Sequence, residues 1–227
     1  MPRYRLKDLY PEESTQSVQS LADTFEKYVT EARRLQAEYQ GRINLLVGAE
    51  TENIVEGSVQ HVKDLRERYQ LDYLVGSVHH VNEIPIDFSA EMFQEAVKVA
   101  GGLDNLYEGF YDAQYQLLVQ IKPEVVGHFD LINMFSQAHP LSPAVEAKIR
   151  RNITTAVEYG ALFELNSSAF RKGLPGAHPQ ANIVQVEQKN NIFSHFSRPA
   201  LLTDCHLLAG GTKLADDQER GWQVHPF

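Results

Sequence analysis

The chain has 227 residues, of which 43% are hydrophobic, and it has 30 acidic against 21 basic side chains, for a formal net charge of -9. This length and composition suffice for one sizeable hydrophobic core, so we expect a single domain over residues 1–227. The negative charge argues against a broad nucleic-acid surface and against an anionic membrane partner, whereas a small anionic substrate remains compatible with local cations.

Two further features bear on the compartment. No apolar run approaches the roughly 18 residues of a membrane span, and the segment MPRYRLKDLYPEE lacks the apolar stretch of a secretory signal. The single cysteine, Cys205, cannot form a disulfide within the chain, which fits a reducing compartment. We therefore expect a cytoplasmic protein.

The first predicted element is an amphipathic helix over about residues 14–40. Its apolar residues recur at steps of three and four with no intervening Gly or Pro: Val18, Leu21, Phe25, Val29, Ala32 and Leu35. Gly41 then ends the helix. The next segment, INLLVGAETE at 43–52, is almost wholly apolar until its carboxylates, which predicts a strand covered on both faces.

Helices and strands then alternate to about residue 168. Helices are predicted near residues 57–69, 89–100, 103–121 and 142–160. Three apolar segments with polar ends lie between or directly after these helices: DYLVGSVHH at 72–80, EVVGHFDL at 124–131 and ALFELNSS at 161–168. This order predicts a parallel sheet whose polar strand ends share one rim. We favour a barrel over an open sheet because no Gly-rich phosphate loop follows a strand.

Potential metal ligands stand at the ends of three successive predicted strands, namely Glu50, His79 and His128. A carboxylate with imidazoles suits zinc, manganese or iron, and the carboxylate can bridge two ions. Taken singly, each residue has an ordinary explanation, Glu50 as a surface acid and each histidine as a hydrogen-bonded core imidazole. Their shared placement at strand ends favours the metal site.

Two weaker candidates follow. Asp204 and His206 in LLTDCHLL stand two apart, so on a strand both could reach one ion, although such a pair is common by chance. In ELNSSAFRKG, Asn166 offers hydrogen bonds, while Arg171 and Lys172 could bind a phosphate or could equally be solvated charges. The histidines without identifiable partners are interpreted as surface residues: His61, His139, His178, His195 and His225.

Four motifs together resemble a known family. GAETE, DYLVGSVHHVNEIPIDF, VVGHFDLI and ELNSSAFRKGL, in this order and at this spacing, resemble the histidinol-phosphatases of the polymerase-and-histidinol-phosphatase (PHP) superfamily, especially its fungal branch, over about residues 1–190. The resemblance implies a distorted (β/α)7 barrel that binds divalent metal ions. It also implies hydrolysis of L-histidinol phosphate to L-histidinol and phosphate in histidine biosynthesis.

The resemblance also implies roles for individual residues. Glu50 is similar to the bridging metal ligand of the family, and His79 and His128 are similar to ligands of the same ion. Asp204 and His206 would stand for the final Asp-x-His ligands, and Arg171 for a contact to the substrate phosphate. The expected catalytic residues are thus Glu50, His79, His128 and Asp204, and the expected substrate-binding residues are Arg171, Lys172 and Asn166.

The sequence departs from the family pattern at both ends. In the family, a strand with a His-x-His pair and a strand ending in Thr-Glu-His precede a segment similar to MPRY, where this sequence starts. We therefore expect a barrel without its first two strands and with reduced or absent activity, and a weak match over residues 191–227. Two alternatives remain open: a catalytically inactive PHP-fold fragment that binds a partner, and a PHP phosphoesterase with another substrate.

Overall fold

The structure is a computed structural model that describes residues 17–52, 57–136, 139–166, 178–180 and 183. Its elements, in chain order, are α1 (Val18–Glu38), β1 (Gly48–Glu52), α2 (Ser58–Tyr69), β2 (Tyr73–Ser77), β3 (His80–Val81), β4 (Ile84–Pro85), α3 (Ala90–Ala100), α4 (Leu103–Ile121), β5 (Val125–Val126), α5 (Pro143–Glu158) and β6 (Leu162–Phe163). No helix in this part of the chain is long and apolar enough to cross a membrane.

One parallel sheet organises the fold, with its strands in the order β1-β2-β5-β6. Glu50 pairs in register with Val75, and Glu52 pairs with Ser77. The pairs β2-β5 and β5-β6 are also parallel, so all four carboxyl ends lie at the same edge. The predicted parallel α/β architecture is confirmed. A short antiparallel hairpin, β3-β4, follows β2 and has no counterpart among the predicted elements.

The strands are shorter than their apolar segments. The segment INLLVGAETE forms a strand only over β1, and side chains bind part of the backbone before it. The carboxylate of Asp72 accepts the Val47 N–H at 2.6 Å, and the Gln36 amide donates to the Leu45 carbonyl at 2.6 Å. In the segment 124–131 only β5 is a strand, and a 3-10 turn over Leu131–Met134 follows it.

Helices α1 and α5 begin at serine capping residues. Ser17 accepts the N–H of Ser20 at 3.0 Å at the start of α1, and Ser142 accepts that of Val145 at 3.3 Å before α5. The first long helix was predicted over 14–40; it is observed over Val18–Glu38, and residues 14–16 lie outside the described part. The left-handed Gly41, with φ of 80°, prevents its continuation.

Helix α4 lies at the centre of the core, against β2, α3 and α5. It contributes six fully buried side chains: Leu106, Tyr107, Phe110, Tyr111, Leu117 and Leu118. Each such side chain adds about 1.5–3 kcal/mol of favourable burial. A methyl group at Gly76 would lie 2.5 Å from Leu117 Cδ2, so β2 approaches α4 with no side chain in between. This packing fixes β2, and with it the strand end that bears His79.

Candidate metal centre

Glu50, His79 and His128 converge above the carboxyl edge of the sheet. The two Nε2 atoms of the histidines are 3.1 Å apart, and Glu50 Oε1 lies 3.2 Å from His128 Nε2 and 3.5 Å from His79 Nε2. The sheet order explains this convergence, because β1, β2 and β5 are neighbours. Glu50 does not end its strand as expected, since β1 continues to Glu52. The structure nevertheless brings the three predicted ligands together.

The spacing of these three atoms fits a cation. Two imidazole Nε2 atoms at 3.1 Å can satisfy one another only if one of them bears a proton, whereas a cation satisfies both lone pairs and the carboxylate. Ligand atoms about 2.0–2.1 Å from a tetrahedral zinc ion lie about 3.3–3.4 Å from one another. The observed separations of 3.1, 3.2 and 3.5 Å bracket that spacing. The three residues therefore fit a divalent metal ion.

The ionisation of the ligands follows from their surroundings. The contact with His128 lowers the pKa of Glu50 to about 2, although partial burial opposes the shift. Burial lowers the pKa of His79, but the hydrogen bond and charge of Glu52, with the charges of Asp87 and Glu50, outweigh it and raise the pKa to about 8. Glu50 is thus an ionised ligand at neutral pH, and a metal ion must displace a proton from His79.

Glu52, which is not among the predicted site residues, contacts both histidines of the VHH motif. Its Oε1 accepts the backbone N–H of His79 at 2.9 Å and lies 2.7 Å from His80 Nδ1, while its Oε2 lies 3.2 Å from His79 Nδ1. Burial raises the pKa of Glu52, but the two histidines lower it to about 2. The signal available in the sequence was the ETE alternation, which places Glu52 on the same strand face as Glu50.

A second carboxylate that is not among the predicted site residues is Glu164, which directly follows β6. Its Oε2 accepts the backbone N–H of His128 at 2.8 Å. Asn166, one of the expected substrate-binding residues, donates from Nδ2 to the same carboxylate at 3.2 Å. Asn166 is therefore linked to the backbone of a ligand histidine through Glu164.

The interpretation of His178 as a surface residue is wrong. Its exposed fraction is 2%, and its Nδ1 lies 2.6 Å from Oδ1 of Asp130, which is fully buried. The backbones of His178 and Asn166 exchange two hydrogen bonds, of 2.7 and 3.0 Å, so this segment returns to the strand-end edge beyond β6. His139 is also only 20% exposed at its side chain, with Nε2 2.8 Å from Asp104.

The other expected site residues are Arg171, Lys172, Asp204 and His206. They lie outside the described residues. Their roles as phosphate contacts and as further metal ligands remain predictions from the sequence.

Comparison with known proteins identifies the family. The model of the PHP domain matches residues 13–168, which include β1, β2, β5 and β6 with all three converging ligands. This chain belongs to the PHP domain family. The family predicted from the four sequence motifs is confirmed.

Curated relatives of this PHP protein include two fungal proteins. It is 47% identical over 191 residues to a probable histidinol-phosphatase of Schizosaccharomyces pombe, an alignment that covers 82% of this chain and 62% of the relative. It is 27% identical over 227 residues to the histidinol-phosphatase of Saccharomyces cerevisiae, which covers 84% of this chain and 68% of that protein. The histidinol-phosphatase of Bacillus subtilis is 26% identical over 165 residues. The chain thus spans about three fifths to two thirds of the length of these relatives.

Proposed function

We propose that this chain is a metal-dependent phosphomonoesterase that hydrolyses L-histidinol phosphate to L-histidinol and inorganic phosphate in histidine biosynthesis. The observation that supports the proposal most directly is the triangle of Glu50, His79 and His128 ligand atoms, with sides of 3.1, 3.2 and 3.5 Å. The names of its fungal and bacterial relatives support the substrate.

Glu50, His79 and His128 would hold a divalent ion of zinc, manganese or iron. When bound, such an ion supplies Lewis-acid polarisation of the phosphoryl oxygens and lowers the pKa of a bound water. The carboxylate of Glu50 brings a negative charge that offsets the charge of the ion. The side chain of Glu50 is 52% exposed, while those of His79 and His128 are 20% and 11% exposed, so the site opens to solvent on the side of Glu50.

The predicted residues outside the described part complete the proposal. Asp204 and His206 would add ligands, and Arg171 with Lys172 would bind the phosphate, Arg171 in a bidentate manner. Asn166 would contribute to substrate binding while its amide donates to the Glu164 carboxylate. In the hydrolysis a water oxygen bonds to phosphorus, the ester P–O bond breaks, and the leaving alkoxide takes up a proton.

We further propose that residues 1–227 form one PHP domain and that the parallel sheet belongs to a distorted (β/α)7 barrel. The register of β1, β2, β5 and β6, with helices between the strands, supports this architecture. A small phosphate ester is the proposed partner, with neither nucleic acid nor membrane. The lone Cys205 supports a cytoplasmic location.

The test combines metal binding with turnover. The purified chain is analysed for bound metal, titrated with Co²⁺, and assayed for phosphate release from L-histidinol phosphate in wild type, Glu50→Ala and His128→Ala. We expect both variants to lose at least about 100-fold in turnover and metal affinity. The control is His139→Ala, which removes a histidine that pairs with the exposed Asp104.

Three outcomes would contradict the proposal. Wild-type protein that binds no Co²⁺ excludes the metal centre, and turnover that survives both Glu50→Ala and a chelator excludes its participation. A panel of other phosphomonoesters tests the substrate. If another ester is hydrolysed with a higher kcat/KM than L-histidinol phosphate, the substrate assignment is wrong and the phosphoesterase class remains.

A further inference from the structure

The Glu52 carboxylate lies between the two adjacent histidines that follow β2. Its side chain is 13% exposed and that of His80 is 3% exposed, so solvent contributes little to either. Glu52 meets three nitrogens: the backbone nitrogen of His79 at 2.9 Å, His80 Nδ1 at 2.7 Å and His79 Nδ1 at 3.2 Å. An ionised carboxylate accepts hydrogen bonds and cannot donate them. All three nitrogens must therefore present a proton to Glu52.

This requirement determines the tautomer of His79. A neutral imidazole has one N–H, and the contact with Oε2 of Glu52 places that proton on Nδ1. The Nε2 atom, 3.1 Å from His128 Nε2 and 3.5 Å from Glu50 Oε1, then has its lone pair free for coordination. We propose that Glu52 is a positioning residue that fixes His79 as the Nδ1–H tautomer and directs its Nε2 toward the metal ion; this inference rests on the proposed metal centre.

His80 completes the arrangement by holding Glu52. Its Nδ1 faces the oxygen that also accepts the backbone N–H of His79, so this oxygen has two donors and cannot rotate away without losing both. The hairpin fixes His80 in turn, since His80 pairs with Pro85 and the Ile86 N–H donates to the His79 carbonyl at 2.8 Å. The two histidines thus have distinct tasks: His79 provides the ligand atom and His80 secures the carboxylate that orients it.

The variant Glu52→Gln separates orientation from simple packing. Glutamine has nearly the same shape, and its carbonyl oxygen can still accept from the His79 backbone and from His80. Its NH₂ group, however, then faces His79 Nδ1, which must become an acceptor and transfer the imidazole proton to Nε2. That proton occupies the position required for the metal ion.

The experiment has two readouts on the full chain. The first is the His79 tautomer in metal-free protein, from imidazole ¹⁵N shifts at about pH 9.5, where imidazoles are neutral. We expect Nδ1–H in wild type and Nε2–H in Glu52→Gln. The second is Co²⁺ titration, where the variant is expected to bind about 10–100-fold more weakly. The control is Glu124→Gln, which alters a carboxylate that accepts the Leu74 N–H at 2.9 Å near the opposite end of β2.

The outcomes distinguish this inference from the proposed function. If wild-type His79 is the Nε2–H tautomer, the inference is wrong whether or not the variant folds. If wild type binds Co²⁺ and Glu52→Gln binds it equally well, Glu52 does not position the ligand, although the metal centre stands. If Glu124→Gln loses as much affinity as Glu52→Gln, both losses reflect general destabilisation and the inference is also rejected. If wild type binds no Co²⁺, the metal centre fails, and the tautomer measurement still decides the role of Glu52.

Discussion

Glu164 accepts the backbone N–H of His128 at 2.8 Å, and this contact repeats across the sheet. Glu52 accepts the N–H of His79 in the same way at 2.9 Å. Glu52 is the last residue of β1 and Glu164 directly follows β6. Each accepts the N–H of a ligand histidine that lies just past the end of the neighbouring strand, β2 or β5. An N–H just past the end of a strand has no partner in the sheet, and an unpaired buried N–H is costly. The backbone of each ligand histidine is therefore fixed by charge-assisted hydrogen bonding.

Removal of the Glu164 carboxylate is expected to reduce both stability and metal affinity. In Glu164→Ala the His128 N–H loses its acceptor, which should cost about 1–3 kcal/mol in the free energy of unfolding. The amide of His128 should also exchange faster with solvent, and Co²⁺ should bind about tenfold more weakly. Urea denaturation, hydrogen exchange and Co²⁺ titration measure these effects.

The control for this variant is Glu158→Ala, at an exposed position at the end of α5, which should change the free energy of unfolding by less than about 0.5 kcal/mol. Equal results for the two variants would exclude the role of Glu164.

A methyl group before His128 should disturb the end of β5. In Gly127→Ala the added carbon would lie 2.6 Å from Ser77 Oγ and 3.0 Å from Val75 Cγ1, both on the neighbouring β2. Such overpacking typically costs about 1–3 kcal/mol, and relief of the clash would displace His128. We expect a lower midpoint of urea denaturation together with weaker Co²⁺ binding.

Gly109→Ala is the matched control for this variant. Gly109 lies within α4, and its added methyl would lie 3.1 Å from Val81 Cγ1 of β3. The gain in helix propensity of up to about 1 kcal/mol offsets this tight contact. This variant should remain within about 1 kcal/mol of wild type. If Gly127→Ala is as stable as Gly109→Ala and binds Co²⁺ normally, β5 accommodates a side chain there and the prediction is wrong.

The sequence was informative where its signals were local. Glu50, His79 and His128 could be selected because they follow apolar segments, and parallel strands place such residues at one edge. Glu52 and Glu164 also follow apolar segments, but the sequence does not show that each will accept a histidine backbone N–H from just past the end of a neighbouring strand. Those contacts depend on the order β1-β2-β5-β6, which periodicity does not determine.

The lengths of the strands and the pairing of residues far apart in the sequence could not be predicted, for related reasons. The segment 43–47 is as apolar as a strand, but Asp72 and Gln36 satisfy its backbone from outside the sheet. No pattern in the sequence around His178 indicates that it is buried, and its partner Asp130 is 48 residues away. Contacts of this separation follow from the completed fold and leave no periodic pattern in the chain.

Asp72 should make stability depend on pH in the acid range. Burial raises the pKa of Asp72, but the hydrogen bonds from Val47 and Arg33 and the charge of Arg33 outweigh it and lower the pKa below its usual value. A carboxyl with a lowered pKa in the folded state stabilises it above the pKa of the unfolded state, about 3.9. That stabilisation is lost as the pH falls through the lower, folded-state pKa.

Asp72→Asn is therefore expected to lower the free energy of unfolding by about 1–2 kcal/mol at pH 7, and by progressively less below about pH 4. Chemical denaturation of wild type and variant over this range measures the difference. Asp23→Asn is the control, because Asp23 contacts the exposed side chain of Gln19 on α1. A difference for Asp72→Asn that stays constant down to about pH 2 would contradict the linkage.

Loss of the His178 imidazole should destabilise the fold more than loss of the His139 imidazole, because Asp130 is fully buried whereas Asp104 is exposed. In His178→Phe the ring is retained but the donor to Asp130 is lost. Asp130 is fully buried and would keep only the N–H of Gln180 at 2.7 Å and the amide of Asn133 at 3.0 Å among the described donors. Oδ1 of Asp130 would then have no described donor, and a buried acceptor left without a hydrogen bond typically costs about 1–3 kcal/mol. His139→Phe breaks a pair in which Asp104 is 59% exposed, so it should cost less than about 1 kcal/mol. Thermal and urea denaturation of the two variants measure both costs. If His178→Phe and His139→Phe are equally destabilised, burial of Asp130 does not raise the cost of losing its histidine partner, and the prediction is wrong.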